Sequence, residues 1–303
     1  MKVIVLDAYS INPGDLTWEP VEQLCELTTY NRTSNDQVAE RMQDCDGIFV
    51  SKVSITREIM EKCPKLKFIG ATATGYDNID VTAAKELGIA VCNVPAYSTE
   101  AVAQHAFALI LELANQVGSY NAAVQDGAWY RSKDFTFINE SLTLLDGKSL
   151  GIIGYGNIGK RVARIGEAFG MKINVYSQDP VAAQKSDYLT LHCPATAENR
   201  GFINKEFIAG MKDGAILINT ARGALVNEED LAEALKSGKL AAAGVDVLSC
   251  EPPKDPHPLI GLANCILTPH NAWMPRETRA KVVDICAQNL ASFLDGGRHN
   301  RIV

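Results

Sequence analysis

The chain has 303 residues, 47% of them hydrophobic and 21% charged, with a formal net charge of −7. That length suffices for two ordinary domains, each with its own core, and acidic groups spread along the chain argue against a nucleic-acid or anionic-membrane partner. No apolar stretch of roughly 18 residues exists, so no transmembrane helix is expected, and the first apolar run breaks at Asp7, too early for a secretory segment. The eight cysteines show no C-x-x-C or other metal-ligand spacing, which favours reduced, cytoplasmic use and predicts no metal site.

Residues 3–6 read as a buried strand ending at Asp7. A loop at 10–14 leads to a helix over 19–27, a possible strand at 28–30 and a helical stretch at 38–42. Strand 47–50 runs into Ser51 and Lys52, followed by a short helix at 55–62 and a strand at 66–73. A helix over 78–87 is stopped by Gly88, and strand 89–94 is closed by Pro95. This alternation predicts a parallel sheet covered by helices, a first domain of flavodoxin-like type. Ser98 or Thr99 caps a long helix from 100 to about 117, apolar on more than one side, that bridges out of the first domain. Residues 126–137 carry Trp129, Tyr130, Phe135 and Phe137 with weak periodicity. Such a loop suits a subunit interface or packing on a core equally well.

The stretch 150–179 organises the rest. An apolar run (150–153) meets Gly154, Gly156 and Gly159 in G-x-G-x-x-G spacing, a helix with Ile158, Val162, Ile165 and Phe169 on one face follows, and a second apolar run returns at 173–176. Strand, glycine turn, helix and strand together make this a dinucleotide-binding motif. Gly154 permits the tight turn, Gly156 lets backbone approach a pyrophosphate, Gly159 lets helix and strand pack, and the helix N-terminus points N–H groups at the phosphates.

Strands follow at 188–193, 215–219, 242–247 and 265–267, with helices near 204–211 and 228–237. The last helix starts at Pro275, runs to Leu294 and is expected to return to the first domain. The implied division is 1–98 plus 275–303 against 99–274. One spacing is awkward, because only about ten residues separate the strand ending near Ser177 from that starting near Tyr188, whereas parallel neighbours need a longer crossover. Either the crossover is unusually short or residues are absent around 180–186, and the second is favoured.

Three side chains follow strands in the second domain: Arg222 after 215–219, Glu251 after 242–247 and His270 after 265–267. Open α/β sheets bind ligands at that edge. Reducing a 2-keto acid needs an arginine to grip the carboxylate, a proton donor near the carbonyl oxygen, and a carboxylate that orients the donor. Each alone is a weak signal, and it is their convergence that carries weight. His105 reads as packed or surface-exposed, His192 as bordering an adenosine pocket, and His257 and His299 as loop residues.

At this point the chain resembles the D-isomer-specific 2-hydroxyacid dehydrogenases over nearly its whole length. The matching stretches are ATATGYDNIDVTAAKELGIAVCNVPAYSTEAVAQH, GIIGYGNIGKRVARIGEAFGMK, LHCPATAENRGFIN, MKDGAILINTARGALVNEEDLAEAL, GVDVLSCEPP and LTPHNAW. LDAYSINPGDLTWEP and the Ser51–Thr56 segment look most like the glycerate dehydrogenase (hydroxypyruvate reductase) branch. The resemblance implies two doubly wound parallel-sheet domains, a flavodoxin-like substrate domain and a Rossmann dinucleotide domain, with substrate in the cleft. It implies that Arg222 binds the substrate carboxylate, Glu251 partners the histidine, and His270 is the acid–base catalyst. Cofactor contacts are expected from Gly154, Gly156, Asn157, Ile158, Gly159, Ser177, Asp179, His192, Cys193, Pro194, Thr220, Ala221, Asp246, His270 and Ala272. Backbone N–H groups at Thr74 and Gly75 would help hold the carboxylate, with Lys52 a further substrate-side candidate. Relatives are typically homodimers joined through their cofactor domains.

Two departures stand out. NAD-preferring relatives end the second cofactor-domain strand in an aspartate, where this chain has Ser177, with Asp179 two residues on. No arginine sits beside Ser177 to pair a 2′-phosphate, so NAD is expected, with NADP not excluded. The family also has more residues in the short crossover. The expectation is a cytoplasmic NAD(P)H-dependent enzyme interconverting a small 2-keto acid and its D-2-hydroxy acid, hydroxypyruvate and D-glycerate foremost. The alternatives are phosphoglycerate, lactate or glyoxylate specificity, or a dinucleotide-sensing corepressor-like binding protein. Glu251 argues against formate dehydrogenase, which lacks the Glu–His pair.

Overall fold

A computed structural model describes residues 1–139 and 141–303. The chain forms two compact units, Met1–Ser98 with Trp273–Val303, and Thr99–Ala272.

The first unit contains β1 (Lys2–Val5), α1 (Glu19–Glu22), β2 (Glu26–Thr29), α2 (Val38–Met42), β3 (Gly47–Val50), α3 (Arg57–Glu61), β4 (Phe68–Ala71), α4 (Val81–Glu86) and β5 (Ala90–Cys92). Its five strands are parallel, in the order β2-β1-β3-β4-β5, the flavodoxin-like order. Side-chain alternation along these apolar strands feeds two cores. Ile4, Ile48, Val50, Ile69 and Val91 pack with Val38, Met42, Met60, Ala83 and Ala84. Val3, Val5, Phe49, Phe68 and Cys92 face the other way, onto Val21 and four residues of the last helix, Val282, Val283, Cys286 and Leu290. The expected helix over 19–27 is only one turn long, because its second half pairs with β1 as β2.

The second unit begins with α5 (Thr99–Asn115) and α6 (Val117–Gln125), and continues with β6 (Ser149–Ile153), α7 (Asn157–Ala168), β7 (Lys172–Val175), α8 (Pro180–Gln184), β8 (Tyr188–Leu191), α9 (Lys205–Gly210), β9 (Ala215–Asn219), α10 (Glu228–Ser237), β10 (Leu240–Val245) and β11 (Cys265–Leu267). The long helix expected from 100 to 117 is broken at Gln116, whose φ of +51° is left-handed, so α6 starts anew. Buried Phe107, Leu109 and Ile110 pack α5 on Leu150, Ile152 and Val162, which makes it part of this unit's own core. The last helix, α11 (Arg276–Leu294), belongs to the first unit.

All six strands are parallel, in the order β11-β10-β9-β8-β6-β7. Strand order reverses between β6 and β8, the switch point at which such sheets open a crevice. The six-strand dinucleotide fold runs 3-2-1-4-5-6, and among the described residues no strand lies outside β7, where its strand 3 would be. The β7-to-β8 crossover is completed by the residues present. Asp179 caps α8 by accepting from Ala182 N–H at 2.9 Å, and Pro180 takes the first helical position. So short a helix can cross β6 because Gly151 leaves room for it: a Cβ there would lie 2.2 Å from the Ala183 carbonyl oxygen.

Candidate active site

The glycine turn is shaped for close approach. Gly154 has φ +96°, and a Cβ on it would lie 2.4 Å from Cys193 N. A Cβ on Gly159 would lie 2.1 Å from the Gly154 carbonyl oxygen, so both positions exclude larger residues. Gly156 is different, with open space around it. It begins the twelve-residue α7, no side chain caps that helix, and the N–H groups of its first turn at Asn157 and Ile158 are left for an anion. At the end of β9 the Thr220 hydroxyl is buried without a partner among the described residues. An uncapped helix beside an open glycine and an orphaned buried hydroxyl fit a dinucleotide.

Strands β9, β10 and β11 are adjacent and parallel, so their carboxyl ends share one sheet edge within about 10 Å. Arg222 follows β9. Asn219, itself buried, brackets its turn by accepting from Ala221 N–H and donating to the Arg222 carbonyl, both at 3.0 Å. The Arg222 side chain is exposed and, among the described residues, pairs with no carboxylate; its Nη1 donates only to the Ala221 carbonyl.

His270 follows β11 in a left-handed turn (φ +53°), a conformation that costs a β-carbon-bearing residue about 1 kcal/mol or more. Asp246, at the end of β10, compensates for it. Its carbonyl accepts from His270 N–H at 2.8 Å, and its buried carboxylate accepts from Asn271 N–H, Ala272 N–H and the Thr268 hydroxyl at 2.9, 3.0 and 2.6 Å. His270 Nδ1 meets Glu251 Oε2 at 2.6 Å, and Glu251 Oε1 accepts from Leu248 N–H at 3.0 Å. The carboxylate accepts from Nδ1–H, so Nε2 is the nitrogen presented for proton transfer. Nε2 has no hydrogen-bond partner among the described residues.

In the first unit, the N–H groups of Thr74 and Gly75 have no partner among the described residues, while the Thr74 hydroxyl is used internally on the Val94 carbonyl at 2.8 Å. Lys52 is exposed, and its N–H donates to Asp7 Oδ2 at 2.5 Å.

Several residues play parts other than those read from the sequence. Asp179, expected at the cofactor ribose, is exposed and holds the start of α8, with Ser177 exposed beside it. The His192 ring turns inward, bonded through Nε2 to Thr190 at 2.9 Å with Nδ1 buried, and burial pushes its pKa down to about 3, so the ring stays neutral. Its backbone and that of Cys193 abut Gly154, while Pro194 is exposed. Asp246 and Ala272 are buried and spend their polar groups on the His270 turn. Of the two readings of His105, packing holds: its Nε2 lies 3.0 Å from the Thr268 hydroxyl, which extends the Asp246 network. The Asp7 carboxylate, missed earlier, accepts from Ser51, Lys52 and Val53 N–H groups and so fixes the Lys52 loop. Burial pushes its pKa up against these donors. The available signal was an acid ending an otherwise apolar strand. Tyr130 and Phe135 are 95% and 90% exposed, so the aromatic loop does not pack on a core.

All eight cysteines are free, and among the described residues no cluster of metal-ligating side chains occurs. No helix is long and apolar enough to cross a membrane, among the residues described.

Residues 107–272 match the family model described as D-isomer specific 2-hydroxyacid dehydrogenase, NAD binding domain. The chain is 46% identical to the hydroxypyruvate reductase of Blautia hydrogenotrophica, covering 99% of each chain, and 37% identical to the glycerate dehydrogenase of Methylorubrum extorquens, covering 99% of this chain and 98% of that one. The first alignment spans 319 positions against 303 residues here, so at least some positions of that relative have no counterpart in this chain. Among solved structures, D-lactate dehydrogenase from Aquifex aeolicus, complexed with NAD and lactic acid, superposes with a TM-score of 0.85 at 29% identity, covering 100% of this chain and 99% of that one.

Proposed function

Because this chain belongs to the D-isomer-specific 2-hydroxyacid dehydrogenases, we propose that it reduces hydroxypyruvate to D-glycerate with NADH. The observation that carries the reading is the 2.6 Å contact of His270 Nδ1 with Glu251, which leaves Nε2 as the proton-donating nitrogen at the edge where Arg222 also emerges. Bound at the glycine turn of the second unit, NADH supplies the hydride. Arg222 offers two parallel N–H groups to the substrate carboxylate. Glu251 stabilises the protonated imidazole, and His270 delivers its proton from Nε2 to the carbonyl oxygen as the hydroxyl forms. In the oxidative direction the same nitrogen accepts the proton.

Hydroxypyruvate is favoured by the names of the two relatives and by the segment at 6–20. There Asn12 accepts from Gly14 and Leu16 N–H groups, and Asp15 receives both Nη atoms of buried Arg279 at 2.6 and 2.7 Å. NADH is favoured over NADPH by the lack of a cation in Ser177–Asp179 to pair a 2′-phosphate. The exposed loop of Trp129, Tyr130 and Phe135 supports a homodimer through the cofactor-binding unit, and the free cysteines fit a reducing, cytoplasmic compartment.

Replacing His270 by Ala should lower kcat by about a hundredfold or more while NADH binding changes little. Equal loss of both would remove the assigned role. Sedimentation of the wild type and of Trp129→Glu reads the dimer.

A further inference from the structure

Glu228 opens α10, yet it is not needed as that helix's cap, since Asn227 already accepts from Asp230 N–H. Its carboxylate points elsewhere. Oε1 accepts from Ser249 N–H at 2.6 Å, and Oε2 accepts from the Ser249 hydroxyl at 2.7 Å and from His257 Nε2 at 3.3 Å. Leu259 N–H lies 3.3 Å from His257 Nδ1, so that nitrogen accepts and Nε2 carries the donated proton. The Glu228 and His257 side chains are 14% and 8% exposed. His257 is therefore no free loop residue, and its bond to Glu228 is sheltered from solvent, while the Ser249 bonds lie at the exposed side of the carboxylate.

Ser249 and His257 are the two ends of the loop that carries Glu251. Residues 249–256 are exposed, with little packing to hold them. One carboxylate thus ties both ends of an exposed loop. The ties meet the site at the two peptide groups that flank Leu248. Their consecutive amides, Leu248 N–H and Ser249 N–H, go to Glu251 and Glu228 respectively. The Leu248–Ser249 peptide presses on Gly223, next to Arg222: a Cβ on Gly223 would lie 1.9 Å from Leu248 C and 2.3 Å from Ser249 N.

We propose that Glu228 is a positioning residue that holds the Ser249–His257 loop so that Glu251 reaches His270. It acts through Glu251 and touches no reacting atom. The proposal rests on the reading of Glu251 and His270 as the working pair, and it adds what keeps that pair assembled.

A double-mutant cycle in keto-acid reduction separates this role from a general contribution to folding. Glu228→Ala should lower kcat about 10-fold and leave KM for NADH within about twofold of wild type. In a Glu251→Ala background the same substitution should cost almost nothing. An equal loss in both backgrounds, or no loss in either, overturns the proposal. If Glu228→Ala does not fold, Ser249→Ala and Glu228→Gln go through the same cycle, judged by the same rule. Amide hydrogen exchange gives a readout independent of turnover. Loss of Glu228 should speed exchange at Ser249 and also at Leu248, whose amide Glu251 holds, whereas acceleration confined to Ser249 contradicts the coupling. Wild-type protein that turns over no keto acid would defeat the functional reading instead, and exchange would still judge the clamp.

Discussion

Glu251→Gln keeps the size of the side chain and removes its charge. The native carboxylate receives Leu248 N–H on one oxygen and His270 Nδ1–H on the other, at 3.0 and 2.6 Å. A glutamine that keeps its oxygen on Leu248 turns an NH2 group toward Nδ1. That favours the neutral imidazole with its proton on Nε2 and withdraws the counter-charge from the imidazolium that donates the proton. A charge-assisted hydrogen bond contributes about 1.5–3 kcal/mol. The two side chains are 27% and 32% exposed, so the lower part of that range applies. About 1.5–2 kcal/mol corresponds to a 10- to 30-fold fall in kcat. The assay is initial-rate reduction with NADH and with its deuterated form. The fall should come with a larger isotope effect and an unchanged KM for NADH, because Glu251 lies outside the glycine turn. An unchanged kcat, or a loss shared equally with NADH binding, would refute the reasoning.

Arg222→Lys exchanges a planar fork for a point charge and should lower kcat/KM for the keto acid about 30-fold, near 2 kcal/mol, with NADH affinity preserved. Gly154→Ala forces a Cβ to within 2.4 Å of Cys193 N at a φ of +96° and should cost about 3 kcal/mol, read as a lowered Tm together with lost NADH fluorescence enhancement. At Asp187, burial would raise the carboxyl pKa, but Lys212 and both Ser149 donors outweigh it and hold the pKa down at about 2. A depressed carboxylate gives stability that is present above its unfolded pKa of about 3.9 and is lost as pH falls through its folded value. Lys212 is half exposed, so solvent screening leaves about 1 kcal/mol. Asp187→Asn should therefore lower Tm at about pH 6 and converge with wild type between about pH 4 and pH 2, whereas a gap constant across that range would contradict the assignment.

Where a strand or helix carried its own punctuation, the sequence told its extent. The runs at 47–50 and 215–218 are uniformly apolar, bounded by Asp46 and Ser51 and by Gly214 and Asn219, and α10 is bracketed by Asn227 and by Gly238 at φ +76°. Arg222, Glu251 and His270 were visible because each follows such a run. Gln116 gave no warning of its left-handed turn, since no glycine or proline marks it. The Asp179-Pro180 pair is a standard helix start, but spacing from the glycine turn drew attention to a ribose instead. Contacts between distant positions were invisible. Nothing in the spacing of Asp7 and Lys52, of His105 and Thr268, or of Glu228 and His257 indicates that they meet.

Initial rates of reduction of hydroxypyruvate, glyoxylate, pyruvate and 2-ketoglutarate, each with NADH and with NADPH, bear on the proposed activity without any substitution. Hydroxypyruvate with NADH should give the highest kcat/KM. Binding of NADH without turnover of any of the four acids would contradict the assignment of Arg222, Glu251 and His270 as a reducing site and would leave a dinucleotide-binding protein without that chemistry.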